Sequence, residues 1–342
     1  MDPLLILFGF GVGVLVGTTG MGGGSLMTPL LILLFGVKPV VAIGTDLAYA
    51  AVTKTVGGWR HLRKGTVDMG IALWLGAGSI PGALGGVIVL DRLHSAYGDA
   101  IDTWVLVAVA VALVVTGVLV LARALFIPRV VERERDTVEL DTRHKVAAAV
   151  LGLTVGFVLG VTSAGSGTLI AVGLIVAFRL SPRRVVGTDV FHAAILLWVA
   201  GAAHLLSGNV DLVLAGTILI GSVPGVWVGT SLATRLPERG LRPTLGIVLI
   251  ASSLGLLNKA GAPLPAAAIV AVPLGLAALA LLLHFARRGP SPIATASERA
   301  GRAPAPIADA AERANRGPAP IANAAERANR APAPIDTAPE RA

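Results

Sequence analysis

Apolar residues fill this chain in long blocks, with charges confined to short stretches between them. Uncharged runs at residues 3–37, 104–122, 146–178, 243–258 and 260–283 reach or approach the roughly 20 residues a helix needs to cross about 30 Å of hydrocarbon. The pattern predicts single crossings over 40–59, 67–90, 104–122, 185–206, 210–234, 243–257 and 265–285. The two longest runs are each broken near the middle, by Gly20-Met21-Gly22-Gly23-Gly24-Ser25 and by Ser163-Ala164-Gly165-Ser166-Gly167-Thr168. Stacked glycine and serine interrupt a helix, so each run reads as a helix–break–helix hairpin. Its limbs, near 3–17 and 24–37 in the first run, rise only about 22 Å at 1.5 Å per residue and could be re-entrant.

The two broken runs belong to an internal duplication. Gly44-Thr45-Asp46 returns as Gly187-Thr188-Asp189, an offset of 143 residues. At that offset Pro39 matches Pro182, His61 matches His204, Gly65-Thr66-Val67-Asp68 matches Gly208-Asn209-Val210-Asp211, and Gly78-Ser79-Ile80-Pro81-Gly82 matches Gly221-Ser222-Val223-Pro224-Gly225. Duplicated apolar architecture points to a membrane transporter with its substrate site where the copies meet. The expected division is a first membrane repeat over 1–122, a cytoplasmic linker over 123–145, a second repeat over 146–257, an additional helix over 258–286, and a tail over 287–342. That tail carries Pro-Ile and Glu-Arg at a 14-residue period and reads as disordered, being rich in proline and poor in apolar residues.

Composition agrees with lipid as the solvent: 54% hydrophobic residues, 14% charged and a mean hydropathy of +0.79 leave too little polar surface for a soluble body of this length. There is no cysteine, which excludes disulfides, thiolate metal sites and a cysteine nucleophile. The net charge of +8 sits in loops beside the apolar runs, where membrane orientation explains it better than nucleic-acid binding. With both broken runs as hairpins, fifteen Lys and Arg fall on one face and only Lys38, Arg92 and Lys259 on the other. The positive-inside rule favours that arrangement. A hairpin plus three crossings is an odd unit, so the second copy is expected upside down relative to the first. The fold class expected is thus an all-α polytopic membrane protein of two inverted-topology repeats, with the tail cytoplasmic.

Candidate chemistry lies at the breaks and at charges inside predicted spans. A helix starting at membrane depth near Gly24 or Gly167 would aim unpaired N–H groups and a positive dipole end into a cavity, an arrangement suited to an oxyanion. Thr19, Ser25, Thr162, Ser163, Ser166 and Thr168 could add hydroxyl donors, and Gly22, Gly23, Gly24, Gly165 and Gly167 could admit the anion to the backbone. Close glycine packing between helices is the competing explanation. Burying Asp or Lys at a membrane helix centre costs at least roughly 2.5 kcal/mol. Lys54, whose counterpart is Leu197, is expected to attract the anion. Asp46, Asp189 and His192, three residues beyond Asp189, are expected to carry or gate a coupled proton. The alternatives are helix capping for the aspartates and snorkelling for Lys54. His61 and His204 read as loop or interface residues. No metal or cofactor is expected.

The Gly22-Gly23-Gly24 break followed by Pro29, the Pro39 to Asp46 stretch, Gly65–Asp68, Gly78–Gly82 and their second-half echoes resemble the sulfite exporter TauE/SafE family, also called the 4-toluene sulfonate uptake permeases. The likeness covers about 4–257. It implies a bacterial inner-membrane permease for small sulfur-containing anions such as sulfite, sulfoacetate or organosulfonates, driven by an ion gradient. The expected function is therefore a secondary transporter for a small anion, with a passive anion channel, or an intramembrane enzyme built on Asp46, Asp189 and His192, as rivals.

Overall fold

A computed structural model describes residues 3–19, 24–126, 140–233 and 238–287. Within them the chain forms α1 (Pro3–Thr19), α2 (Gly24–Leu34), α3 (Pro39–Arg63), α4 (Met69–Tyr97), a 3-10 turn (Gly98–Ile101), α5 (Asp102–Phe126), α6 (Thr142–Thr162), α7 (Ser166–Phe178), α8 (Pro182–Leu206), α9 (Leu212–Ala233), α10 (Glu238–Lys259) and α11 (Ala266–Arg287). The helices up to Phe285 form one compact unit. The 14-residue repeats lie outside the described residues, as does most of the expected linker.

The expected breaks fall where the glycines stand. α1 ends at Thr19 and α2 starts at Gly24. In the second copy Ser163 (φ 57) and Gly165 (φ 93) both take left-handed backbone between α6 and α7, a conformation glycine adopts freely and serine only at a cost. With 11 and 13 residues, α2 and α7 span only about 16 and 20 Å. By apolar length alone, four helical stretches are long enough to cross a membrane, one of them running from Met69 through the 3-10 turn to Ala124. α3 is not among them, although it has 25 residues. Its Asp46, Lys54 and other polar groups lower its hydropathy; its first half is buried in the bundle, whereas Val52, Val56, Trp59 and Leu62 toward its end are exposed.

The exterior is apolar, unlike that of a soluble protein, and the largely apolar core also holds buried polar and charged groups. Leu206, Trp227, Val213 and Trp104 are 73–90% exposed, whereas Asp46, Thr28, Thr188, Asp189, His192 and Lys54 are all buried at 9% or less. Lipid tolerates such a surface, and charges are placed inside where partners exist.

At the 143-residue offset α1 to α5 correspond to α6 to α10, and this correspondence governs packing. α3 lies against its own counterpart α8, and α5 against α10. Gly44, near the start of α3, faces the Asn209 carbonyl beyond the end of α8, and Gly187 reciprocally faces the Thr66 carbonyl. Counterpart helices therefore run antiparallel. The first helix of each copy instead packs along the fourth helix of the other: α1 on α9, and α6 on α4. Gly9, Gly13 and Gly17 interlock with Gly221, Gly225 and Gly229, and Gly152, Gly156 and Gly160 with Gly78, Gly82 and Gly86. A Cβ on any of the twelve would come within 3.0 Å of a backbone carbonyl on the facing helix. Glycine every fourth residue is how membrane helices approach this closely without a hydrophobic driving force.

Candidate functional site

The repeated Gly-Thr-Asp joins the copies. Gly44 and Gly187 leave room for the carbonyls of Asn209 and Thr66. One residue on, the Thr45 hydroxyl accepts the Asp211 N–H at 3.0 Å and the Thr188 hydroxyl accepts the Asp68 N–H at 2.9 Å. Asp68 and Asp211 in turn accept the N–H of Ile71 and of Leu214, at the starts of α4 and α9. Gly and Thr thus fasten each helix to the loop of the other copy, and the following Asp is delivered into the interior.

The two aspartates then differ. Asp46, 0% exposed, accepts hydrogen bonds from Thr28 Oγ1 at 2.6 Å and Ser163 Oγ at 2.8 Å, both on Oδ2. Among the described residues its buried Oδ1 has no partner and no charged side chain acts on it. Asp189 has neither hydroxyl, because the counterparts of Thr28 and Ser163 are Ala171 and Gly20. Lys54 and Arg123 act on it electrostatically, its Oδ1 also lacks a hydrogen-bond partner, and its Oδ2 lies 3.4 Å from where a Cβ on Gly167 would stand. Neither aspartate caps its own helix. Asp46 lies seven residues beyond Pro39, the first residue of α3, and Lys38 and Ser181 at the N-caps of α3 and α8 make no side-chain cap.

Lys54 is 9% exposed inside the bundle, so it does not snorkel. It lies within electrostatic reach of Asp189 and His192 but makes no hydrogen bond or ion pair within 4.0 Å among the described residues. His192 Nε2 pairs with Ser79 Oγ at 2.7 Å, leaving Nδ1 buried and unpartnered. In the other copy Tyr49 and Ser222 occupy the corresponding positions, and the Tyr49 hydroxyl approaches Ser222 without a well-formed hydrogen bond.

The second break touches both carboxylates, through Ser163 on Asp46 and Gly167 on Asp189. Its hydroxyls are partly committed to structure: Thr162 Oγ1 donates to the Val158 carbonyl and accepts the Ala164 N–H. Thr168 is buried and Ser25 half-buried. α7 opens at Gly165 with no side-chain cap. Gly22 and Gly23, and the side chains of Thr19 and Ser166, lie outside the described residues; Gly24 opens α2. Of the two histidines expected at loops or interfaces, His61 is half-buried and pairs with Thr66 Oγ1 at 2.9 Å. His204 is instead fully buried, with Nε2 2.9 Å from the Gly160 carbonyl. The glycine-lined approach of α6 to α4 leaves that carbonyl beside the end of α8. Sequence reasoning missed Thr28, Ser79, Arg123 and Thr116, whose buried hydroxyl lies 3.2 Å from a Cβ position on Gly165. Thr116 carried a signal, as a lone hydroxyl in an otherwise aliphatic stretch. Thr28 carried none.

Interlocked copies, an apolar exterior and a charged interior at interrupted helices define a multi-pass membrane protein of transporter architecture. The model of the family described as "Sulfite exporter TauE/SafE" matches residues 5–256, and the chain belongs to this family. It is similar to the Bacillus subtilis probable membrane transporter protein YjnA, 35% identical over 257 residues that cover 75% of this chain and 100% of the relative. Similarity extends to YdhB of the same organism, also a probable membrane transporter protein, at 31% over 247 residues, covering 71% of this chain and 94% of the relative. It reaches the probable membrane transporter protein MJ0441 of Methanocaldococcus jannaschii at 24% over 218 residues, covering 61% and 74%. No solved structure matches the chain. The protein is a membrane transporter.

Proposed function

We propose that the protein is a secondary transporter for a small oxyanion, sulfite or an organosulfonate, moved by alternating access between two copies inserted with opposite orientation. Lys54 is the observation that carries this reading. An ammonium held inside the bundle without a counter-ion within 4.0 Å among the described residues is costly unless a mobile anion completes it. The α7 start and its glycines stand on the Asp189 side of the same region, where an oxyanion would meet backbone N–H groups and the positive dipole end. Asp189 and His192 would set the selectivity of that chamber, Asp189 by repelling anions that Lys54 and Arg123 do not offset. The antiparallel packing of α3 on α8 and α5 on α10 supports opposed insertion. The zippered pairs α1/α9 and α4/α6 are the natural rigid bodies, each drawn from both copies. No bond is made or broken. We place the protein in the inner membrane with its tail cytoplasmic, on the charge bias of its loops.

Uptake of radiolabelled sulfite into proteoliposomes tests the proposal. Saturable uptake accelerated by an imposed pH gradient is expected, with Lys54→Ala reducing it at least tenfold while eluting as folded protein. Normal uptake by Lys54→Ala would remove Lys54 from the site. Non-saturating flux indifferent to the gradient would replace the carrier by a channel.

A further inference from the structure

The two halves of this protein carry the same aspartate in unlike surroundings, and the difference assigns the coupling ion. We infer that Asp46 alone is the binding site of the coupling proton, and that Asp189 belongs to the anion chamber. The assignment deepens the transport reading and rests on it for its role in coupling, but not for the location of the proton.

Three observations carry it. First, Asp46 is fully enclosed and, among the described residues, no cationic side chain acts on it, whereas Lys54 and Arg123 both act on Asp189. A buried carboxylate charge without a cationic partner is costly. Second, both hydroxyl bonds converge on one oxygen, Oδ2, from Thr28 and Ser163, while Oδ1 is buried and has no partner. That division suits a neutral acid whose proton sits on Oδ1 and whose carbonyl oxygen, Oδ2, accepts two donors. Third, the cradle is not repeated in the sequence, since the positions equivalent to Thr28 and Ser163 hold Ala171 and Gly20. α2 therefore brings Thr28 to Asp46, the α6–α7 break brings Ser163, and α3 itself brings Tyr49, backed by Ser222 on α9. α8 brings Asp189, His192 and His204, and α5 brings Arg123, none of which acts on Asp46. A sodium ion would need more oxygen ligands than the one carboxylate and two hydroxyls gathered here.

The cradle also supplies a route to the anion. Ser163 sits in the break whose Gly167 borders Asp189. Loss of the proton puts a full charge on Asp46 and tightens its hold on Ser163. Gain of the proton loosens it. The proton state is thereby read by the segment that meets the anion.

Infrared difference spectroscopy of the purified full chain, titrated across pH without sodium and again with sodium chloride, tests the site directly. The expected result is a titrating C=O band of a buried protonated carboxyl that is present in the wild type and in Asp189→Asn, missing in Asp46→Asn, and unaffected by sodium. Should Asp46→Asn fail to fold, Thr28→Val gives the second reading, because losing one hydrogen bond to Oδ2 shifts the same band. A band that survives Asp46→Asn, vanishes in Asp189→Asn, is unmoved by Thr28→Val or is erased by sodium overturns the assignment. In proteoliposomes, the ratio of gradient-driven to counterflow sulfite uptake should fall to about one in Asp46→Asn and stay several-fold higher in Asp189→Asn. Equal ratios in the two variants would also overturn it. Absence of sulfite flux in the wild type with the band intact would refute the sulfite reading and leave the proton at Asp46.

Discussion

Replacing Gly78 by alanine should separate the interlocked helices, whereas the same change at Gly85 of the same helix should not. At Gly78 an added Cβ strikes the Ala149 carbonyl oxygen, with the carbonyl carbon at 2.7 Å and the Leu153 nitrogen at 2.9 Å; at Gly85 it meets nothing within 4 Å. The struck atoms are backbone and cannot rotate aside, so α4 and α6 must part by about 1 Å, a gap that forfeits a quarter to a half of the dispersion attraction at each affected contact. Overpacking of this kind costs about 1–3 kcal/mol, and the absence of a yielding side chain places Gly78→Ala near the top. At about 3 kcal/mol the ratio of folded to unfolded protein falls roughly a hundredfold. Gly85→Ala should instead gain about 0.5–1 kcal/mol by removing backbone freedom in a helix interior. Denaturation in detergent micelles, followed by circular dichroism, reads the difference of roughly 4 kcal/mol between the two. In the second copy Gly221→Ala, the equivalent of Gly78→Ala, should differ in the same way from Gly216→Ala on the same helix, because the first added Cβ meets the Ile6 carbonyl and the second meets nothing. Equal midpoints for Gly78→Ala and Gly85→Ala would refute the claim that carbonyl contact holds these helices together.

Thr188→Val should destabilise the protein by about 1–3 kcal/mol in the same assay, because it preserves shape yet leaves the Asp68 N–H without its acceptor. Thr45→Val should match it through Asp211, and a neutral result in both would deny the Gly-Thr-Asp repeat its fastening role. Asp141 caps α6, and the His144 backbone N–H it accepts holds its carboxyl below the ordinary carboxylate range. Its contribution is present above its unfolded value of about 3.9 and is lost as pH falls through the folded value. Asp141→Asn keeps a capping side chain, so it should behave as wild type at neutral pH and lose less stability on acidification. An identical acid profile would remove Asp141 from the account.

Much of the architecture was legible because membrane-protein sequence is constrained at the backbone. Uninterrupted apolar runs announced α1, α5 and α11, glycine clusters marked both breaks to within a few residues, and the fixed offset announced two copies. Packing between copies was not legible. The glycines of α1 drew no notice and Gly78 and Gly82 of α4 served only as markers of the duplication until their partners on α9 and α6 were known. The aspartates looked alike for the same reason. Their difference is written at Thr28 and Ser163, which reach Asp46 only through tertiary structure and whose equivalent positions hold Ala171 and Gly20. His204 misled because a polar residue late in a helix ordinarily marks an exit from the membrane, whereas here the glycine-lined approach of α6 leaves a carbonyl within its reach.

The claim on which transport depends is that equivalent points in the two copies face opposite sides of the bilayer. Lys64 and Ser207 are such a pair, each directly after its helix, α3 or α8. Because the chain has no cysteine, Lys64→Cys and Ser207→Cys each place one thiol against a silent background. Labelling intact cells with a membrane-impermeant maleimide should modify the cysteine at 207, and the one at 64 only after permeabilisation. Modification of both from the same side would contradict the opposed insertion of the two copies, and with it the shared chamber.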